Sequence, residues 1–383
     1  MRIEVDYRFP AGVDAAKQAS VIAVGQTAGT WSERWAAQDA RLRGHLGEVI
    51  AIHGDGPSVA TVAFPADNVE GDVASLLTMI LGKYSMAGPA KVVGLRLPPG
   101  YGTRPRFGVA GIRAVAGVQG RPLVMAIFKP SLGLSAAEHA SIAGEVARAG
   151  LDIIKDDEIL GDLPSAPTFE RLARCANVLE QVEAETGKRT LYAVNLTGRA
   201  DRLLEKARML VSEGASALLL NVLTYGFPIL EALAADPVIS VPIFAHPAFS
   251  GALCLPPDHG LGYPVVLGTL MAAGGADAVL LPTTLGSLPF SREDEVSLRT
   301  ILGAAGVFPV PSAGVHAGLV PRLCADWGQD VILNAGTGIM DHPDGPGDGV
   351  RAFHEALALH AAGQDLATAP RGPLRRALEA QHR

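Results

Sequence analysis

Between residues 123 and 336, an apolar run of six or seven residues returns eight times, each followed by a Gly-, Pro- or polar-rich turn and then an amphipathic stretch. The runs are LVMAIFK (123–129), LDIIKD (151–156), TLYAVNL (190–196), ALLLNV (217–222), VPIFAH (241–246), AVLLPT (278–283), VFPVPS (307–312) and VILNAG (331–336). Runs this short and this apolar suit strands covered on both faces, and helical patterns such as SAAEHASIAGEVARAG and DRLLEKARMLVSEG fill the gaps. Several of those helices start at Ser, Asp or Thr and stop at Gly, as capping requires. Eight strand–helix units predict a closed (β/α)8 TIM barrel in an α/β protein. A doubly wound open sheet is the competing layout, but no GxGxxG follows the first strand.

Residues 1–115 follow a different rule. They alternate more and mix the strands IEVDYRF, EVIAIHG and SVATVAF with helices near 14–24 and 71–82, which predicts a smaller N-terminal α+β domain. LPPGYGTRPRFG (97–108) reads as the linker, and 116–383 as the barrel domain. With 48% hydrophobic and 19% charged residues, the 383-residue chain has material for a large core. A net charge of −7 without a basic block argues against nucleic acid or an anionic membrane as partner. No apolar run has membrane-spanning length, and MRIEVDYRF opens as a charged strand rather than a signal peptide. Cys175, Cys254 and Cys324 have no metal-like spacing and read as reduced packing residues, which implies a cytoplasmic location.

In a barrel the chemistry sits at the C-terminal ends of the strands. The polar residues collect there: Lys129, then Lys155, Asp157 and Glu158, then Asn195, Asn221, His246, Ser312, Gly314, Asn334, Gly336 and Thr337. Any one of them alone reads as a cap or turn residue; a whole rim of them reads as a site. Strand alternation points Lys155 and Asp157 the same way and Asp156 the other way, toward the helices. Two carboxylates suit a hard cation such as Mg2+, but an ammonium ion beside them would repel it. A neutral Lys155 that takes up CO2 becomes a carbamate, a third anionic oxygen ligand. The short loops SAG and GTG after the last two strands place backbone N–H groups where such barrels hold phosphate. Asn195 is placed beside the metal, or else bonds a loop.

FKPSLGLS (128–135), GLDIIKDDE (150–158), His246, PSAGVH (311–316) and GTGIMDHP (336–343), in that order, resemble the large chain of ribulose-1,5-bisphosphate carboxylase/oxygenase (RuBisCO). The resemblance extends to AGTWSERW (28–35) and LTMILGKYS (77–85). It implies Mg2+ held by carbamylated Lys155 with Asp157 and Glu158, and proton handling by Lys129 with His246 beside it. It also implies one phosphate held around Thr30, Trp31, Gly314, Gly336 and Thr337, and a homodimer whose active sites are shared between subunits. The departures are Ser287, Pro247, Ser131 and Gly25, at positions that carry lysine, arginine, lysine and glutamate in the carboxylases, and Lys83 in place of an asparagine. These remove the carboxylation apparatus and the second phosphate site, so the resemblance is to the RuBisCO-like proteins. Within that group FGVAGIR, KRTLYAVNLTGR, AHPAFSGA and the GK of GKYS are most similar to the 2,3-diketo-5-methylthiopentyl-1-phosphate enolases.

That similarity implies enolisation of a small phosphorylated ketone or diketone, with Lys83 the first candidate base and Lys129 the second. Isomerases of methylthioribulose phosphate and decarboxylases of oxidised branched-sugar phosphates share the same metal-holding residues and stay open. Two other classes compete: a metal-free Schiff-base aldolase using Lys129 or Lys155, and a non-catalytic sugar-phosphate binder.

Overall fold

The computed structural model describes residues 1–30, 32–54 and 56–381. In the N-terminal part, β1 (Arg2–Phe9), β2 (Glu48–His53), β3 (Ser58–Pro65) and β4 (Ala90–Arg96) pair antiparallel in the order β4-β1-β3-β2. Every second residue of β1 is buried (Ile3, Val5, Tyr7 and Phe9), so one face of the sheet packs on the helices Ala15–Gly25 and Val73–Ile80. β4 comes from AKVVGLR, which lies among the apolar positions of this segment.

The barrel strands are β5 (Leu123–Ile127), β6 (Ile153–Lys155), β7 (Leu191–Asn195), β8 (Ala217–Asn221), β9 (Ile243–His246), β11 (Ala278–Pro282), β12 (Phe308–Ser312) and β13 (Ile332–Ala335), all eight at the expected runs. They pair parallel in the order β12-β11-β9-β8-β7-β6-β5-β13. The two ends meet, since β12 packs on β13 and Asn334 Nδ2 donates to Ser312 Oγ at 3.1 Å. One short strand sits outside this ring. β10 (His259–Leu261) leaves the barrel after β9 and adds to the N-terminal sheet, parallel to β4.

Two cores follow from strand parity. Inward residues of the barrel (Leu123, Met125, Ile153, Leu191, Ala193, Ala217, Leu219, Phe244, Leu280, Val310 and Ile332) form one cluster. The helix Gly108–Ala116 closes that cluster from the bottom with Ile112 and Ala116. The outward residues join the surrounding helices and the N-terminal domain in a second cluster. The lower barrel is therefore solid, and polar chemistry is confined to the upper layer. The three cysteines are free and buried. Among the described residues no helix is long and apolar enough to cross a membrane.

Candidate active site

Parity carries the wall of β6 directly into the site. Ile153 faces inward, so Lys155 does too, and its side chain is wholly buried. Asp156 points the opposite way. Its carboxylate meets Arg171 of the helix Thr168–Thr186, with Nη2 at 2.9 Å, and Tyr192 Oη at 2.7 Å. Asp156 and Arg171 are fully buried, and the pair fixes β6 against the helix layer.

Lys155 Nζ donates to Asp156 O at 2.9 Å and lies 3.9 Å from Glu158 Oε2. Burial drives its pKa down, against the opposing pull of Glu158, Asp157 and Asp156. A buried amine pushed toward its neutral form is the nucleophile that CO2 requires. Lys129 Nζ reaches Asp157 Oδ2 at 2.7 Å and Ser131 Oγ at 2.8 Å, and Ser131 Oγ donates to the same carboxylate oxygen at 2.8 Å. Burial alone would raise the Asp157 pKa, but the Lys129 and Ser131 hydrogen bonds outweigh it and hold the carboxyl low. From β9, His246 Nε2 lies 3.4 Å from Glu158 Oε2, while its Nδ1 accepts from Ala248 N at 3.2 Å. That acceptor role puts the ring proton on Nε2, facing Glu158. Burial, then the charge of Lys155, pushes the His246 pKa down to about 3, so the ring is neutral near pH 7.

The donor set fits a hard divalent cation: two carboxylates and a buried amine convertible to a carbamate, all at one level of the rim. Buried amide oxygens of Asn195 and Asn221, which meet no hydrogen-bond donor among the described residues, border the same turn.

The loops after β12 and β13 lie beside this cluster. Ala313 and Gly314 have φ values of +66° and +94°. The N–H groups of Gly314 and Thr337 donate to no acceptor among the described residues, which leaves them available to an anion. Gly336 lies against Lys129, since a Cβ there would stand 3.3 Å from Lys129 Cε. Ser312 Oγ donates to Val310 O at 2.9 Å and accepts from Asn334, which ties it into the wall. The loop after β11 docks on the β12 loop, where Ser287 N donates to Ala313 O at 2.9 Å.

Lys129, Lys155, Asp157, Glu158 and His246 thus come together, with Ser312, Gly314, Gly336 and Thr337 at the adjoining loops. Asn195 bonds a loop: its Nδ2 donates to the carbonyls of Asp157, Glu158 and Leu160 at 3.2, 3.0 and 3.1 Å. Lys83 and Thr30 stay outside. Lys83 is exposed in the turn Gly82–Met86, with Nζ 5.5 Å from the Tyr84 ring centre, and has no hydrogen bond or ion pair among the described residues. Thr30 is exposed on the N-terminal domain, and Trp31 lies outside the described residues.

Two residues escaped sequence reasoning. Ser131 reads there only as a lost lysine, yet its hydroxyl bridges Lys129 and Asp157. Glu295, on the helix Arg292–Ala305, is buried and accepts from Thr283 Oγ1 and Thr284 N at 3.3 Å each and from Trp327 Nε1 at 3.0 Å, anchoring the loop after β11. In SREDE it reads as an ordinary acid of a helix's first turn.

The family model described as ribulose bisphosphate carboxylase large chain, N-terminal domain, matches residues 4–99, and that of the catalytic domain matches 108–295 and 298–381. The chain belongs to the RuBisCO large-chain family. A 2,3-diketo-5-methylthiopentyl-1-phosphate enolase from Microcystis aeruginosa is 62% identical over 382 residues, covering 99% of both chains. One from Geobacillus kaustophilus is 41% identical, covering 93% of this chain and 92% of its own. Among solved structures, a rubisco-like protein from Alicyclobacillus acidocaldarius superposes with a TM-score of 0.92 at 42% identity, covering 99% of each chain. A dimeric archaeal Rubisco from Hyperthermus butylicus superposes at 0.88 with 26% identity, covering 99% of this chain and 95% of its own. The RuBisCO fold is therefore shared with an archaeal Rubisco.

Proposed function

We propose that this RuBisCO-family chain is an Mg2+-dependent enzyme of the isomerase or lyase type, a 2,3-diketo-5-methylthiopentyl-1-phosphate enolase rather than a CO2-fixing carboxylase. The observation that carries the proposal is the buried Lys155 amine set among Asp157 and Glu158, in a chain 62% identical to a protein of that name. Carbamylated Lys155, Asp157 and Glu158 would hold the cation, which when bound supplies Lewis-acid polarisation of the substrate carbonyl. The phosphate is received by the N–H groups of Gly314 and Thr337, with Gly336 and Ser312 beside them, and Thr30 and Trp31 would be further contacts only if a second subunit of a homodimer supplies them.

A lysine removes the α-proton. Lys129 is the candidate within one subunit, because it already sits 2.7 Å from Asp157. Lys83 is the candidate across a homodimer interface, because it is exposed on the N-terminal domain. His246, neutral and oriented by Ala248 N, donates toward Glu158 and orients substrate. The Pro247 and Ser287 substitutions support loss of carboxylation, since neither offers a cation to a second phosphate or to CO2.

The test is deuterium incorporation from D2O into the diketone phosphate, followed with enol absorbance, in protein stripped of CO2 and metal and then resupplied with bicarbonate and Mg2+. Activity is expected only after resupply. Full activity with an unmodified Lys155, or no exchange in the resupplied protein, would overturn the proposal. Trapping of a substrate adduct by borohydride would favour a Schiff-base aldolase instead.

A further inference from the structure

The turn that carries Asp157 and Glu158 is held by the two strands that follow β6 around the barrel. On β7, Leu191 and Ala193 face inward, so Asn195 does as well; on β8, Ala217 and Leu219 put Asn221 on the same face. Asn195 Nδ2 donates to the carbonyls of Asp157, Glu158 and Leu160. Asn221 Nδ2 donates to Glu158 O at 2.9 Å. Amides from two neighbouring strands therefore converge on one carbonyl, that of the residue whose carboxylate faces Lys155 and His246.

Because every partner is a carbonyl oxygen, both amides must turn their NH2 toward the turn and their oxygen away. Those two oxygens, with that of Asn334, are buried and accept from no donor among the described residues. Asn195 is 0% exposed. Buried acceptors are nearly always satisfied in folded proteins, so these point to a donor arriving with a bound group.

We infer that Asn195 and Asn221 are positioning residues that lock the Asp157–Glu158 turn in the geometry that receives a divalent cation, and whose amide oxygens accept from water or hydroxyl brought by the bound group. The inference rests on the metal-site reading above. A cation that keeps several waters needs such outer acceptors, and outer-shell partners commonly set metal affinity. Asn221 is the cleaner probe: it makes one bond to the turn where Asn195 makes three, so its loss leaves the turn otherwise bonded.

The experiment is calorimetric titration of Mg2+ into the full-length protein in bicarbonate buffer, comparing wild type with Asn221→Ala and the near-isosteric Asn221→Leu. Carbamate on Lys155 is read in parallel by NMR with 13C-bicarbonate. Both variants are expected to bind Mg2+ about 10–100-fold more weakly and to show a weaker carbamate signal at equal Mg2+, with unchanged circular dichroism. Unchanged affinity in a folded variant would overturn the inference, and so would failure of both variants to fold, since Asn221 would then be a structural residue. A wild type that binds no Mg2+ would instead remove the metal-site reading, and this inference with it.

Discussion

Gly314 and Ala313 adopt the same left-handed backbone for different reasons, and that separates their substitutions. At Gly314 a Cβ would stand 3.0 Å from Ser287 N, with φ at +94°, so Gly314→Ala meets strain and crowding together. We expect a loss of about 2–3 kcal/mol in a urea titration, from an αL penalty of about 1–2 kcal/mol plus the displaced loop. The substrate KM should rise by roughly tenfold, because the loop N–H groups would move with it. Ala313→Gly removes the penalty at φ +66° but gains chain entropy when unfolded, so its stability should stay within about 1 kcal/mol of wild type. Equal destabilisation by both would contradict the assignment. Lys155, Asp157, Glu158 and His246 were legible in sequence because strand parity and a strand-end position are local properties. For Asn195 the sequence left two readings open, metal or loop, and the roles of Ser131 and Asn221 were not legible, because their partners are fixed by packing between strands. A hydroxyl or amide carries no sign of which acceptor it will meet.

The buried Asp156–Arg171–Tyr192 group belongs to the scale of elements, since it joins β6, β7 and the helix Thr168–Thr186. Asp156 also accepts from Asn195 N at 3.0 Å, so the carboxylate has no open side. Removing the cation alone leaves a buried anion unpaired, and Arg171→Ala should destabilise by about 3–5 kcal/mol. Tyr192→Phe removes one hydrogen bond and should cost only about 1–3 kcal/mol. Guanidinium denaturation of both variants checks the order; similar losses would mean that the charge is solvated after all. Elements were the most readable level. All eight barrel strands lie at their apolar runs, because a strand covered on both faces must be apolar throughout. What the pattern could not show was β10, whose three residues HGL have no periodicity and take their strand form from β4. The anchoring of the loop after β11 by Glu295 was hidden for a similar reason: burial of an acid depends on threonines and a tryptophan that arrive from other elements.

Across the whole molecule, buried histidines contribute the part of the acid response that begins near neutrality. His139 is buried against the Phe128 ring, 4.8 Å between centres, and burial holds its pKa below 6.5; Asp156 and Glu138 pull it up, and Arg171 down. The half-buried His354 is also lowered, by burial first. Between the folded and unfolded pKa values the unfolded chain binds more protons, so these two histidines make stability fall as pH drops below about 6.5 and add no pH dependence well above it. Each histidine contributes at most about 1.4 kcal/mol per pH unit. Denaturation free energies at pH 7.5 and 5.5 should show the fall, and His139→Leu should make it shallower. A slope unchanged by that substitution would assign the acid sensitivity elsewhere.

The largest scale also supplies the test of which lysine is the base. The N-terminal domain is joined firmly to the barrel of its own chain: β10 extends its sheet, Lys91 Nζ donates to the carbonyls of Cys254 and Pro256, and Val73 N donates to Glu231 Oε1 at 3.0 Å. So held, Lys83 is exposed and makes no polar contact with the cluster of its own barrel among the described residues. If it is the base, the site it serves belongs to a second subunit. Lys83→Ala and Lys155→Ala homodimers should then each be inactive, because one lacks the base at every site and the other the carbamate. Mixed and reassembled in equal amounts, they should recover about a quarter of wild-type activity by simple statistics: half the dimers are hybrids, and each hybrid has one site with both lysines. A site built within one subunit predicts no recovery at all, since every barrel would still lack one of the two. Activity retained by the Lys83→Ala homodimer alone would transfer the role of base to Lys129, which the structure already holds against Asp157.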